Sequence, residues 1–467
     1  MGQVRPQGSG RSDAGRRLGH AAALSGLLML AGCASIDMRP TNMPASPAVR
    51  PVASDDAAAD ERVAVVLTLS GGGTRSAAFA YGVLSSLAER RVPGRQGKSL
   101  ADDVTTVAGV SGGAILAAHF AVNGSAGLPD FRRDFLDRDV EAALRTAYSP
   151  ENLWRAYRAG VNDMSGLPAW LDAHLFRGTK LGHVHGGGRP RLLLHATDMY
   201  NRTPFYFDRD TFAAICSDYD AYPLADAVAA SAAVPVLFAP VVMTNYGRGC
   251  APATGPGAKP VRRASLIERH QRETAARYAD AVDLNYLKLY DGGLVDGLGT
   301  QSLLHHLDGS TPGLMSPERA RHLRRLLVVV VDASSRIGGD LSRRIEGPPG
   351  PEALIAAADA MIDMSSRHSF DALRERLPRW RDALVRRRCA DGMHCAPLDV
   401  HIVRVSLMDE PDPQVRRRVL GLHNRLSLAR DDVDFLAERG RRLLETNAEM
   451  RVFLRGLAED GRAGGPR

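Results

Sequence analysis

An α/β fold with a mostly parallel central sheet is predicted by three observations. A buried strand-like run at Val63–Leu69 ends in a glycine turn and a helix, a second unit of the same kind starts at Val104, and further strand runs lie at Tyr286–Tyr290 and Leu326–Val331. Parallel strands covered on both faces read as continuous apolar runs, and VAVVLTL and LLVVVV have that character. The chain has 467 residues, 44% hydrophobic and 24% charged, enough to bury a sizeable core. A disordered chain would be poorer in apolar residues, and a disulfide scaffold would need far more than five cysteines.

The N-terminus reads as an address. Arg5, Arg11, Arg16 and Arg17 face a single acid, Asp13, and Ala21–Ala31 is apolar or small throughout. As a helix rising about 1.5 Å per residue, that run reaches roughly half of a bilayer core, the length of a signal-peptide segment rather than a span. It ends in Leu30-Ala31-Gly32-Cys33, which resembles the lipobox of bacterial lipoproteins. The resemblance implies loss of residues 1–32 and acylation of Cys33. Because Ala34 rather than aspartate follows, it also implies an outer-membrane anchor facing the periplasm. Residues 33–62, with Pro40, Pro44, Pro47 and Pro51 and no apolar periodicity, are expected to form a tether.

Charge and cysteine usage narrow the partners. The net charge of +7 rests on arginine, since lysine occurs only at 98, 180, 259 and 288, and the basic residues are interspersed with acids. That pattern describes solvated helix faces with at most a mild attraction to anionic headgroups, so no nucleic-acid partner is expected. In an oxidising periplasm Cys216, Cys250, Cys389 and Cys395 allow three pairings. Proximity favours Cys389 with Cys395, against the alternative of four unpaired thiols.

Chemistry concentrates at three turns. Ser70-Gly71-Gly72-Gly73-Thr74-Arg75 follows the first strand and opens a helix with Ala77, Ala78, Tyr81, Leu84 and Leu87 at helical spacing. A helix start after a glycine turn aims unpaired N–H groups at an anion. Gly109-Val110-Ser111-Gly112-Gly113 has the form of a nucleophile elbow, where a serine sits on a sharp turn and flanking glycines avoid collisions. Tyr286–Tyr290 then ends in Asp291-Gly292-Gly293, which presents a carboxylate at the sheet edge, although an ordinary turn aspartate would look the same.

Together these residues resemble the patatin-like phospholipase family, over about residues 63–305. Two softer blocks agree, His195-Ala196-Thr197-Asp198 and Ala230–Pro240, while Ser76 departs from the glycine common after the arginine. The resemblance implies a three-layer α/β/α domain over residues 63–335. It implies Ser111 as nucleophile and Asp291 as general base, with no intervening histidine. It also implies an oxyanion turn of Gly71, Gly72, Gly73 and Arg75, joined by Gly112. Arg75 would hold the turn or meet a phosphate. The implied function is a membrane-anchored serine hydrolase cleaving acyl esters of phospholipids or lysophospholipids through an acyl-enzyme, with no cofactor and no metal.

Two alternatives stay open. A Ser-His-Asp hydrolase has support in His185-Gly186-Gly187-Gly188 and in downstream His305, His306, His322, His368, His394, His401 and His423, but the glycine motif follows Ser111 instead of preceding it. A non-catalytic, lipid-binding envelope lipoprotein is the other. His183 and His185 lack further ligands and are expected to bind no metal. Residues 247–280 read as a lid or an insertion. The apolar residues Trp154, Tyr157, Trp170, Leu171, Leu175 and Phe176 belong to an acyl channel or to the core. Residues 336–467 are expected to form a mainly helical region packing on the domain, with one more strand run at Asp399–Leu407.

Overall fold

The computed structural model describes residues 35–45, 62–92, 97–184, 189–247, 265–280, 282–307, 317–334, 345–347, 349–390, 397–422 and 424–463, besides Gly2. Its strands are β1 (Val63–Leu69), β2 (Val104–Gly109), β3 (Gly160–Asn162), β4 (Arg191–Asp198), β5 (Thr203–Tyr206), β6 (Val236–Phe238), β7 (Val241–Thr244), β8 (Tyr286–Tyr290), β9 (Arg325–Asp332) and β10 (Asp399–Ser406). The helices that frame the site are α1 (Gly73–Glu89), α2 (Gly112–Asn123), α3 (Pro150–Arg158), α4 (Leu224–Ser231), α5 (Leu266–Asp280), α6 (Gly350–Ala390) and α7 (Arg430–Thr446).

The main sheet runs β10-β9-β1-β2-β4-β8-β7, with β5 also paired to β4. From β10 to β4 every pairing is parallel, while β5, β7 and β8 join antiparallel. Successive residues of β1 point to opposite faces: Val63, Val65, Leu67 and Leu69 enter one apolar cluster, Ala64 and Val66 the other. β9 splits in the same way, and helices supply both clusters with partners, such as Leu84 of α1 on one face and Leu373 of α6 on the other. This is the expected α/β/α sandwich, with all seven residues of β1 buried.

β10 pairs with β9 along its whole length, from Asp399 opposite Arg325 to Ser406 opposite Asp332. The sheet therefore crosses the boundary expected at residue 335, and the C-terminal region supplies a strand to it as well as helices. α7 crosses α1 at glycines. A Cβ on Gly82 would lie 1.8 Å from the Ala437 carbonyl oxygen, and one on Gly440 would lie 2.1 Å from that of Phe79. The two backbones can approach this closely only because neither position carries a side chain.

Residues 35–45 depart from the expected tether. Thr41 N donates to the Val242 carbonyl at 3.0 Å, Asn42 exchanges bonds with Thr244 in both directions, and Ala45 N reaches the Cys216 carbonyl at 2.8 Å. The segment has no apolar periodicity because it adds polar backbone to the β7 edge instead of filling a core. The apolar group in residues 128–177 also divides: Leu171 and Phe176 are buried, whereas Trp154 and Tyr157 are exposed. Cys216 and Cys389 are disulfide-bonded, which removes the alternative of four free thiols, and Cys33, Cys250 and Cys395 lie outside the described residues. Among the described residues no helix is long and apolar enough to cross a membrane.

The glycine crossing sets a stability test. Gly82→Ala or Gly440→Ala should each cost about 1–3 kcal/mol through overpacking, measured as a lower denaturation midpoint. Gly421→Ala, where a Cβ would meet nothing within 4 Å, should leave the midpoint almost unchanged.

Candidate active site

Ser111 stands between β2 and α2 with φ 51° and ψ −123°, a conformation that L-residues rarely adopt. Its surroundings explain how the strain is held. A Cβ on Gly109 would lie 2.6 Å from the Gly113 carbonyl oxygen, one on Gly113 would lie 2.4 Å from that of Leu69, and one on Gly112 would lie 2.0 Å from that of Gly73. The elbow and the first glycine turn are thus pressed backbone to backbone, and all three glycines are steric requirements. Ser111 N donates to Ser231 Oγ at 3.1 Å, from the end of α4. Ser231 lies in the Ala230–Pro240 block, but nothing in its sequence context marks this contact.

The first turn offers donors. Gly72 and Gly73 take φ 132° and 58° as α1 opens. Among the described residues the N–H groups of Gly72, Gly73 and Gly112 have no hydrogen-bond partner. Gly71 differs from expectation: its N–H donates to the Gly297 carbonyl at 2.9 Å, so it fixes the turn and is not free for an oxyanion. Arg75 differs too. It is buried and donates from Nη1 to the Leu422 carbonyl at 2.8 Å, while Nη2 would lie 3.2 Å from a Cβ on Gly72. Burial lowers its pKa to about 10 against the opposing pull of Asp359 and Asp332, so it stays charged at physiological pH. It therefore clamps the turn from behind, fastening it to the C-terminal region.

Asp291 follows β8 and is held from several sides. Its N–H donates to the Ala233 carbonyl at 2.9 Å, and its own carbonyl accepts from Thr197 Oγ1 at 2.8 Å. The next carbonyl, of Gly292, accepts from His195 Nε2 at 3.2 Å. A carbonyl can only accept, so the His195 proton is assigned to Nε2, and Nδ1 accepts from the Ser302 hydroxyl at 2.9 Å. Burial holds the His195 pKa down, against the pull of Asp296, and keeps the ring neutral. The Asp291 carboxylate accepts from Gly293 N at 2.7 Å. Burial pushes its pKa up to about 6, although Gly293 N and the nearby Ser111 pull the other way.

Three of the histidines of the triad alternative are engaged elsewhere. His305 lies 3.4 Å from Asp208, His306 Nδ1 bonds the Ser302 carbonyl at 2.9 Å, and His401 Nδ1 bonds Glu449 at 2.7 Å. His185 to Gly188, His394 and His423 lie outside the described residues. Among the described residues no group of three or more potential ligands could hold a metal. Of the candidate lid, α5 is tied down by Tyr278 OH to Asp198 at 2.8 Å and by Glu268 to Arg376, and residues 248–264 lie outside the described residues.

A serine on a strand-to-helix elbow, beside free N–H groups and a buried carboxylate, equips this α/β sandwich for acyl transfer. The sequence profile described as Patatin-like phospholipase matches residues 67–304, just over half of the chain, and the chain belongs to that family of lipid acyl hydrolases. No curated protein matches. Among solved structures, human GIVD cytosolic phospholipase A2 aligns at 12% identity with a TM-score of 0.39, over 85% of this chain and 63% of that one. VipD from Legionella pneumophila aligns at 13% identity with a TM-score of 0.30, over 83% of this chain and 67% of that one. The chain thus spans less than two thirds of the human enzyme, and likeness at these scores carries no argument about mechanism.

Burying the Asp291 carboxylate has a measurable cost. A carboxyl whose pKa is about 6 in the folded state and about 3.9 unfolded contributes stability that is lost as pH rises between those values. Asp291→Asn should therefore raise the denaturation midpoint at pH 7.5, by up to about 3 kcal/mol of stability, with little gain at pH 4. A destabilised variant at pH 7.5 would contradict the raised pKa.

Proposed function

We propose that this protein is a membrane-anchored serine hydrolase that cleaves fatty-acyl esters of phospholipids or lysophospholipids with a Ser111–Asp291 dyad. The observation that supports this reading is a buried carboxylate, Asp291, whose pKa burial raises to about 6 and on which Ser111 of the elbow exerts a lowering pull. A carboxylate near pKa 4 is a weak base, whereas one near 6 is closer to the proton it must take and is still ionised at neutral pH. As Ser111 Oγ attacks the acyl carbonyl, its proton passes to Asp291. Negative charge developing on the carbonyl oxygen is met by the N–H groups of Gly72, Gly73 and Gly112. The ester C–O bond then breaks, the leaving alkoxide takes the proton from Asp291, and the acyl group stays on Ser111. Water, activated by the same carboxylate, attacks the acyl-enzyme, releasing the fatty acid and restoring Ser111.

The address is consistent with this chemistry. Acylation of Cys33 would hold the enzyme beside a water-insoluble substrate, and the disulfide-bonded Cys216 and Cys389 suit an oxidising envelope compartment. The triad alternative loses ground because His305, His306 and His401 are occupied away from Ser111.

Fatty-acid release from phospholipid vesicles by the mature protein tests the dyad. Ser111→Ala and Asp291→Asn should each lower kcat/KM by at least about 1,000-fold. The wild-type kcat/KM should rise about tenfold per pH unit below pH 6 and level off above it, because the ionised form of Asp291 is the active one. Full activity in either variant would overturn the dyad. Activity that survives Asp291→Asn but disappears when one histidine is replaced would establish the triad.

A further inference from the structure

One face of the molecule carries apolar side chains that the dyad chemistry does not use. α3 exposes Leu153, Trp154 and Tyr157 at 65%, 48% and 83%, and β6 exposes Leu237 at 54%. The two elements are neighbours: β3 follows α3 and pairs with β6, and Asn162 Nδ2 donates to the Leu237 carbonyl at 3.2 Å. Trp154 and Tyr157 stack with ring centroids 5.9 Å apart, and the Arg158 guanidinium lies 5.7 Å from the Trp154 ring. Exposed tryptophan, tyrosine and leucine beside arginine form the composition that settles at the headgroup level of a bilayer.

The N-terminal segment indicates which occupant this face meets. Arg155 of the same helix is buried and spends all three guanidinium nitrogens on fixed partners. Nε donates to the Val161 carbonyl at 2.8 Å, Nη2 to Asp163 at 2.5 Å and Nη1 to the Ser35 carbonyl at 2.7 Å. Asp163 also accepts from Asp37 N at 3.0 Å. Burial alone would raise the Asp163 pKa, but bonds from Ser165, Asp37 and Arg155 hold it below its ordinary value, so the clamp stays charged. Ser35 is two residues after Cys33, a chain reach of at most about 7 Å. An acyl group on Cys33 would therefore enter the bilayer beside α3, with no slack for the body to hang free.

We infer that Leu153, Trp154, Tyr157 and Leu237 form a docking surface for the lipid bilayer, seated by an acylated Cys33 that Arg155 fastens through Ser35. The inference rests on the membrane-anchored hydrolase proposed above. It also links the membrane to the site. Val236, a β-branched residue at φ 73°, and Leu237 are exposed at the start of β6, three residues after Ala233, whose carbonyl holds the Asp291 N–H.

Tryptophan quenching tests the surface directly, using the mature protein reconstituted in phosphatidylcholine–phosphatidylglycerol vesicles with shallow-brominated acyl chains. Trp154, Trp170 and Trp380 are the tryptophans of the chain. The wild-type emission should be quenched, and Trp154→Phe should remove most of the quenched fraction. Equal quenching in both proteins, or none in either, would overturn the docking surface and give this face to a protein partner. The readout needs no turnover, so Ser111→Ala protein should behave like wild type even if the hydrolase reading fails, and intact mass reports Cys33 acylation separately. As a second measurement, Leu153→Ser/Tyr157→Ser should lower hydrolysis of vesicle phospholipid about tenfold, with no change on a monomeric short-chain ester. Equal loss on both substrates, or loss on neither, would also overturn it.

Discussion

The contact between two glycine turns is the constraint on which the rest of the site depends. A Cβ at Gly112 would lie 2.0 Å from the Gly73 carbonyl oxygen, so the elbow and the donor turn share one van der Waals boundary. That boundary brings Ser111 up against the first turn, where a Cβ on Gly71 would lie 3.3 Å from Ser111 Cβ. Backbone donors fixed in this way need no reorganisation when charge develops, which is where preorganised sites gain most of their effect. β1 and β2 deliver the two turns at the same end of adjacent parallel strands, with Leu69 opposite Gly109, so the sheet register sets the contact.

A second layer holds the carboxylate. Thr197 and His195 of β4 bond the carbonyls of Asp291 and Gly292, and Ala233 takes the Asp291 N–H. The backbone is thus saturated, while among the described residues the carboxylate itself receives the Gly293 N–H. A carboxylate with more donors would be a weaker base, and one with fewer would protonate at neutral pH. Asp296, by contrast, collects bonds from Leu298 N, Gln301 N and Ser369 Oγ, although it stands only five residues away.

What could be read from the sequence follows this physics. Glycines forced by backbone contact, at 73, 109, 112 and 113, and by a φ of 132° at 72, stand out because their spacing after apolar strands is itself the structural requirement. Ser231 does not stand out, since a serine that accepts one N–H from a distant turn leaves no periodic trace. Arg75 was legible as a residue that holds the turn, whereas Gly71 was not legible in its role, because whether its N–H is free depends on Gly297, more than two hundred residues downstream. Residues 35–45 read as a tether for a related reason: a segment that docks through backbone bonds shows no apolar pattern. The apolar run of β9 was visible, but its position between β1 and β10 is a property of the whole chain.

That position has a consequence for how the protein is made. β1 is zipped on one side to β2, about forty residues away, but on the other only to β9, more than two hundred and fifty residues later. A chain emerging N-terminus first would hold β1 as an open, apolar sheet edge until β9 appears, and β9 in turn until β10 covers it. Such an edge invites pairing with other chains, and long-range parallel pairing is slow. A nascent molecule of this protein is therefore most exposed to aggregation during the synthesis of its middle third, and fragments ending before β9 carry Ser111 and Asp291 on an unclosed sheet.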